Sequence, residues 1–317
     1  MIRHTLLLRR VIKLLLLFLI GKATCFAVSS GDASCAQDIR GGGAIIVSSI
    51  DEGTLSIIKQ FLASSSDKNE KNNDFLIQGW RWHVMSLIRD AGRLKCLAEH
   101  LAKNKMSDDS SLDALVTAAD YVVNFNMAGL YRVESTMFVK WLRKHLCRPD
   151  AFGDDSNAAA TSNAYGNVIG KIEDQRIDCE NLGKELYDKA NAASSPSITL
   201  EQRRQHLHEI VRLSTRLSDE LHSMRTLQET LIVPAISQIV SPSEQKSFNN
   251  KVLFNLGVLE SRVHLVGMHD AVLESGSAFE REKFQKEIPY VARMMIERWR
   301  KSLYDPKGAW ALDHISR

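Results

Sequence analysis

Glu134 and His83 are the two side chains of this 317-residue chain best placed to do chemistry, because each falls inside an otherwise apolar stripe. Along Phe125 to Leu146, Met127, Leu130, Met137, Phe138 and Trp141 recur at three- and four-residue steps, the period of a helix burying one face. Glu134 sits on that stripe between Leu130 and Met137. A lone buried charge is costly, so the carboxylate must be paired, protonated, hydrogen-bonded or bound to a metal. His83 lies on a second stripe with Leu76, Trp80, Leu87, Leu94, Leu97 and Leu101, where it reads either as a packed histidine or as an inward metal ligand and partner of Glu134. On a third stripe, Ile210, Leu213, Leu217, Leu221, Met224 and Leu231 surround Gln228, with Glu229 about 100° further round the helix. His83, Glu134, Gln228 and Glu229 are therefore the candidate metal set, with His206 and His264 in reserve. His208 and His222 read as surface residues. His264 and His269 are five apart, not a same-face spacing, so joint ligation by them would need a break in the helix.

The elements that must hold these residues are helical. No proline precedes Pro149, and long Leu-, Ala-, Glu- and Lys-rich runs argue for an all-α protein. The spacing predicts a short helix over Asp51 to Ala63, a polar loop over 64–73, and four long helices. These run from Asp74 to Lys103, Leu112 to Leu146, Ala164 to Ala192 and Leu200 to Val233, where Pro234 bends or ends the last. SSPSIT caps the fourth. A fifth helix is expected from Glu244 to Leu273, capped by Ser241 or Ser243, and a last one from Phe279 to Tyr304. The net charge of +3 gives no reason to expect nucleic acid as a partner.

The N-terminus reads as a targeting segment over 1–27. Arg3, Arg9 and Arg10 precede an apolar run from Leu14 to Ile20, and small residues come after it, with cleavage after Cys25 or Ala27. The run is too short to span a bilayer comfortably, so membrane association is expected only if the segment stays uncleaved. Phe26 at a new N-terminus, followed by a Ser-rich stretch, resembles the bipartite plastid presequences of algae with secondary plastids. Entry into the secretory pathway, with a plastid as one destination, is the expectation. Residues 28–73 form a flexible region with the one short helix. Cys35, Cys96, Cys147 and Cys179 are too scattered for a disulfide scaffold and read as buried free thiols.

The four long helices repeat. ESTMFVKWLRKHL (134–146) and QETLIVPAISQIV (228–240) correspond when Lys140 is set against Pro234. This arrangement over 74–240 resembles the hemerythrin-like, or HHE, cation-binding family. There, each helix pair supplies an inward histidine on its first helix and His-x-x-x-Glu on its second, with proline six residues after the glutamate. The resemblance implies an up-down four-helix bundle, here with additional C-terminal helices over 241–317. His83 matches the family's first-helix histidine and Glu134 its first glutamate. Leu130 stands where the histidine four residues earlier belongs, and Lys140 where the proline belongs. Counting back from Pro234, Gln228 replaces the second glutamate and Met224 its histidine, while Asn167 or Val168 is the nearest third-helix counterpart.

A di-iron carboxylate site needs about five to seven converging His and carboxylate ligands. The inward set of His83, Glu134 and Gln228 falls short of that. The expectation is a polar cluster in which His83 and Gln228 satisfy Glu134, inside a degenerate bundle acting as a non-catalytic binding or scaffold protein with an unknown protein partner and no cofactor. The alternatives are an active non-haem iron protein that binds oxygen or does redox chemistry, and a membrane-associated interaction module using the basic terminal helix.

Overall fold

The computed structural model describes residues 50–66, 75–104, 109–153 and 157–316. The targeting segment 1–27, the glycine-rich joint at Gly41 to Gly43 and most of the polar loop 64–73 lie outside the described residues. Within them the chain is all-α, with no strand, and no helix is long and apolar enough to cross a membrane.

Helix α1 spans Glu52–Ser66 and starts where the Asp51 carboxylate accepts from the Thr54 amide at 2.8 Å. Helix α2 is Gln78–Lys103. Helix α3 is continuous but not uniform: α-helical Asp109–Asp120 widens into a π turn at Tyr121–Met127, returns to α over Ala128–Val133, widens again at Glu134–Phe138, and finishes as Val139–Leu146. After a 3-10 turn at Pro149–Phe152, α4 runs over Ala158–Ser194. Helix α5 begins at a capping box in which Thr199 and Gln202 exchange bonds, covers Leu200–Leu227, passes a π turn at Gln228–Ile232 and ends as Val233–Ile239. Pro234 therefore does not end the helix. It enters just after a π turn, where the ladder is already interrupted and a missing donor costs little.

The C-terminal part has twice the expected number of long elements. The helix anticipated over Glu244 to Leu273 divides into α6, Pro242–Asn255, capped by Ser241, and α7, Val258–Ser275. Gly257 separates them at φ 77°, a left-handed conformation that glycine adopts without steric cost. The helix anticipated over Phe279 to Tyr304 divides into α8, Ala278–Glu287, and α9, Tyr290–Trp299, which continues as a π turn at Arg300–Tyr304. Pro289 is the cause: it pushes Ile288 to ψ 126°, out of the helical region. A 3-10 segment, Ala309–Ser316, closes the chain.

Helices α2 to α5 pack in a ring: α4 against α3 and α5, and α2 against α5 and α3. The stripes read from sequence line its interior, with Leu87, Leu94, Leu97, Leu101, Leu130, Leu213, Leu217 and Leu221 all buried. Each such leucine is worth roughly 1.5–3 kcal/mol of apolar burial. Met137 and Trp141 are only partly buried, because the π turn at Glu134–Phe138 inserts a residue and rotates the helix beyond it. Helix α7 lies along α2, and the closing 3-10 segment crosses α2 and the start of α3.

Charge fastens α7 and α9 to α2. Arg89 binds its neighbour Asp90 through Nε at 2.8 Å and Nη2 at 2.5 Å, donates to the Tyr304 hydroxyl at 2.8 Å, and lies 3.8 Å from Asp270. Arg300 grips both oxygens of Asp270 at 2.5 Å. Burial alone would raise the Asp270 carboxyl, but bonds from Arg300 and His269 and the Arg89 charge hold it well below the usual carboxylate range. We predict that Asp270→Asn lowers the unfolding free energy in urea by about 1–3 kcal/mol, because two guanidinium groups lose a charged acceptor. The more exposed Asp313, paired with Arg93 at 2.7 Å, is the control, and Asp313→Asn should cost less than about 1 kcal/mol.

Candidate functional site

Glu134 is 2% exposed and Gln228 is 2% exposed, so both polar groups face the interior, as their stripes require. Each is the first residue of a π turn, Glu134–Phe138 in α3 and Gln228–Ile232 in α5. The two turns thus begin at the positions that correspond in the sequence repeat. A π turn carries one residue more than an α turn and is common where a side chain must be re-aimed.

Glu134 meets Trp80 and Gln228, not His83. The Trp80 indole N–H donates to Glu134 Oε1 at 2.9 Å, and the Gln228 amide approaches the same oxygen at 3.5 Å, the limit for such a bond. Trp80 is itself packed edge-on against Phe75 and tilted over Phe138, so its N–H is held in place by aromatic contacts. Glu134 Oε2 and Gln228 Oε1 have no partner among the described residues. Burial pushes the Glu134 carboxyl up to about 7, with the Trp80 bond and the Arg176 charge opposing it. Protonation would also turn the unmatched Oε2 from an acceptor into a donor.

His83 belongs to a separate polar string, which corrects the expectation that it satisfies Glu134. Its Nε2 lies 3.0 Å from Asn126 Oδ1, while Asn126 donates from Nδ2 to Asp90 at 2.7 Å. With the amide nitrogen committed to Asp90, the Asn126 oxygen is left to accept, so His83 donates from Nε2. Asn126 is buried and lies in the π turn Tyr121–Met127, on the same face as Val122 and Leu130. The His83 ring also contacts His264 of α7 at 4.3 Å between centroids, and His264 stacks on Phe125 at 4.5 Å. Gly129 makes room for this: a Cβ there would stand 2.6 Å from His264 Nε2. Burial lowers His83 to about 4 and, together with the nearby His83, lowers His264 well below its ordinary value, so both rings are neutral at pH 7.

The remaining candidates fall elsewhere. Glu229 is half-buried and ion-paired to Arg81 at 2.6 Å. His206 is half-buried on α5, and His269 bonds its neighbour Asp270 at 3.2 Å. Leu130, Met224 and Val168 are buried, whereas Asn167 is exposed. Among the described residues, no group of three or more His, Cys, Asp or Glu side chains is placed to hold a metal ion. Cys147 and Cys179 are free, and burial drives the Cys179 thiol up to about 12, where it is unreactive. Cys96, expected as a free thiol, is disulfide-bonded.

Four contributors escape a reading of the sequence by period. Trp80 lies on the expected stripe, but a stripe registers only its apolar surface and not its N–H. Asn126 lies four residues before Leu130, at the edge of the same stripe, but a lone uncharged polar residue there carries no signal of the partner it meets. Arg89 and Asp90 carry a usable signal: adjacent opposite charges within a long apolar helix.

The chemistry open to Glu134 is the holding of a proton at neutral pH, without solvent contact. The folded pKa near 7 lies above the ordinary 4.5, so the folded state keeps the proton over an interval where the unfolded chain has lost it. Stability contributed by this group is full below pH 4.5 and falls as pH rises towards 7. His83 works in the opposite sense, its stability being lost as pH falls from 6.5 towards 4. The difference between Glu134→Gln and the parent isolates the carboxyl. Relative to the parent, we predict that Glu134→Gln becomes more stable by about 3 kcal/mol between pH 4.5 and pH 8, as read from urea unfolding at each pH.

Compared with protein-family models, curated proteins and solved structures, the chain has no match in any of the three.

Proposed function

We propose that the chain is a non-catalytic binding or scaffold protein built on a degenerate hemerythrin-like four-helix bundle. The observation that carries this is the Trp80 indole N–H directed at Glu134 Oε1 at 2.9 Å. The Trp80 indole and, at 3.5 Å, the Gln228 amide both take Oε1, so this carboxylate leaves only Oε2 without a partner among the described residues, one ligand atom where a metal site needs about three or four protein ligands. The positions that resemble the family's second-helix histidines hold Leu130 and Met224, each 1% exposed and able to offer only apolar packing. Support for the bundle itself comes from the ring of α2 to α5 and from π turns opening at the equivalent residues Glu134 and Gln228.

A catalytic reading would also need access for a substrate. Glu134, His83 and Asn126 are each 2% exposed or less, so nothing from solvent reaches them without opening the core. The cluster reads as a polar pin that sets helix register, a role in which buried polar groups contribute specificity more than stability. The disulfide at Cys96 supports passage through an oxidising compartment, in keeping with a secretory route.

The test is metal analysis and an absorption spectrum on the protein purified aerobically after expression with iron supplied. The expected protein is colourless, folds cooperatively and carries well under one iron or zinc per chain. About two irons per chain, with a charge-transfer band that Glu134→Gln removes, would make it an oxygen-active iron protein and overturn the proposal.

A further inference from the structure

The C-terminal helices enclose a cavity of about 250 Å³ between α7, α8 and α9, lined by none of the residues around Glu134. Its walls divide by chemistry. Val272, Leu273, Phe284 and Ile296 form an apolar side, and Leu273, 51% exposed, marks the open edge. Arg281, Arg293 and Gln285 contribute donors, and no carboxylate lines the space.

The two arginines are uncompensated. Among the described residues neither guanidinium has a carboxylate within salt-bridge reach. The acids nearby on these helices hold other cations: Glu282 pairs with Lys286 at 2.6 Å, Glu297 with Arg300 at 3.5 Å, and Glu274 with Arg93 at 2.8 Å. Arg293 lies over the Tyr290 ring at 5.7 Å, and its Nε is buried with no acceptor. A buried donor on a charged group without an acceptor is unfavourable, and an anion relieves it. A guanidinium fork suits a carboxylate in particular.

We propose that this cavity binds a small amphipathic carboxylate, with its head on Arg281 and Arg293 and its tail against Val272, Leu273, Phe284 and Ile296. Cavities that hold drug-sized ligands start at about 300 Å³, so the volume here limits the tail to a short acyl chain. The assignment goes beyond a general binding role and stands independently of what Glu134 does.

Calorimetric titration of the full chain with octanoate tests it. The expected result is saturable binding of one octanoate per chain, weakened by salt and weakened about tenfold or more in Arg281→Gln and in Arg293→Gln. Octanol, which keeps the tail and lacks the charge, should bind about tenfold more weakly or worse. Circular-dichroism melting of each variant establishes that it is folded, and exposed Arg281 provides the substitution least able to disturb the fold. Absence of saturable octanoate binding, or equal affinity in the parent and the folded arginine variants, would overturn the assignment.

Discussion

One hydrogen bond, from the Trp80 indole to Glu134, fixes how the interior of this protein is organised. A carboxylate on the buried stripe of α3 cannot stay bare, because its desolvation would offset the burial of several leucines. The fold answers with neutral donors. Trp80 reaches across from α2, Gln228 approaches from α5, and the remaining cost shows as a carboxyl that keeps its proton up to about pH 7. Three of the four ring helices are thereby joined at one polar point within an apolar core.

The irregular backbone is tied to that point. Glu134 and Gln228 each open a π turn, and a third π turn delivers Asn126 between His83 and Asp90. From Asp90 the polar string runs through Arg89 to Tyr304 and Asp270, so the ring and the C-terminal helices share a continuous set of charge-assisted bonds. His264 extends the same surface of α2 by packing on His83, in a space that only Gly129 leaves open. The apolar cavity with its arginines lies between α7, α8 and α9 and meets this string at His269, which lines the cavity and bonds Asp270.

Much of this is legible in the amino-acid sequence. Period alone locates the long helices and shows that Glu134, His83 and Gln228 point inward, and Ser241 and the segment before Leu200 mark helix starts. Partner identity is not legible. A stripe says that a side chain is buried, not which of several neighbours it meets, so the sequence pairs His83 with Glu134 although Asn126 holds it. Regular period also misplaces residues beyond a π turn, which explains the half-buried Trp141. The division of the C-terminal helices is available in Gly257 and Pro289, whose backbone demands outweigh the apolar pattern running through them.

The most direct measurement is a carbon-13 NMR titration of the Glu134 side-chain carboxyl in glutamate-labelled protein, with the resonance assigned by its loss in Glu134→Gln. If a buried carboxyl is held by the Trp80 indole and Gln228 without a cation, its protonation midpoint lies near pH 7. A midpoint at or below the ordinary value of 4.5 would mean that a positive charge or water reaches the group, and would contradict the account.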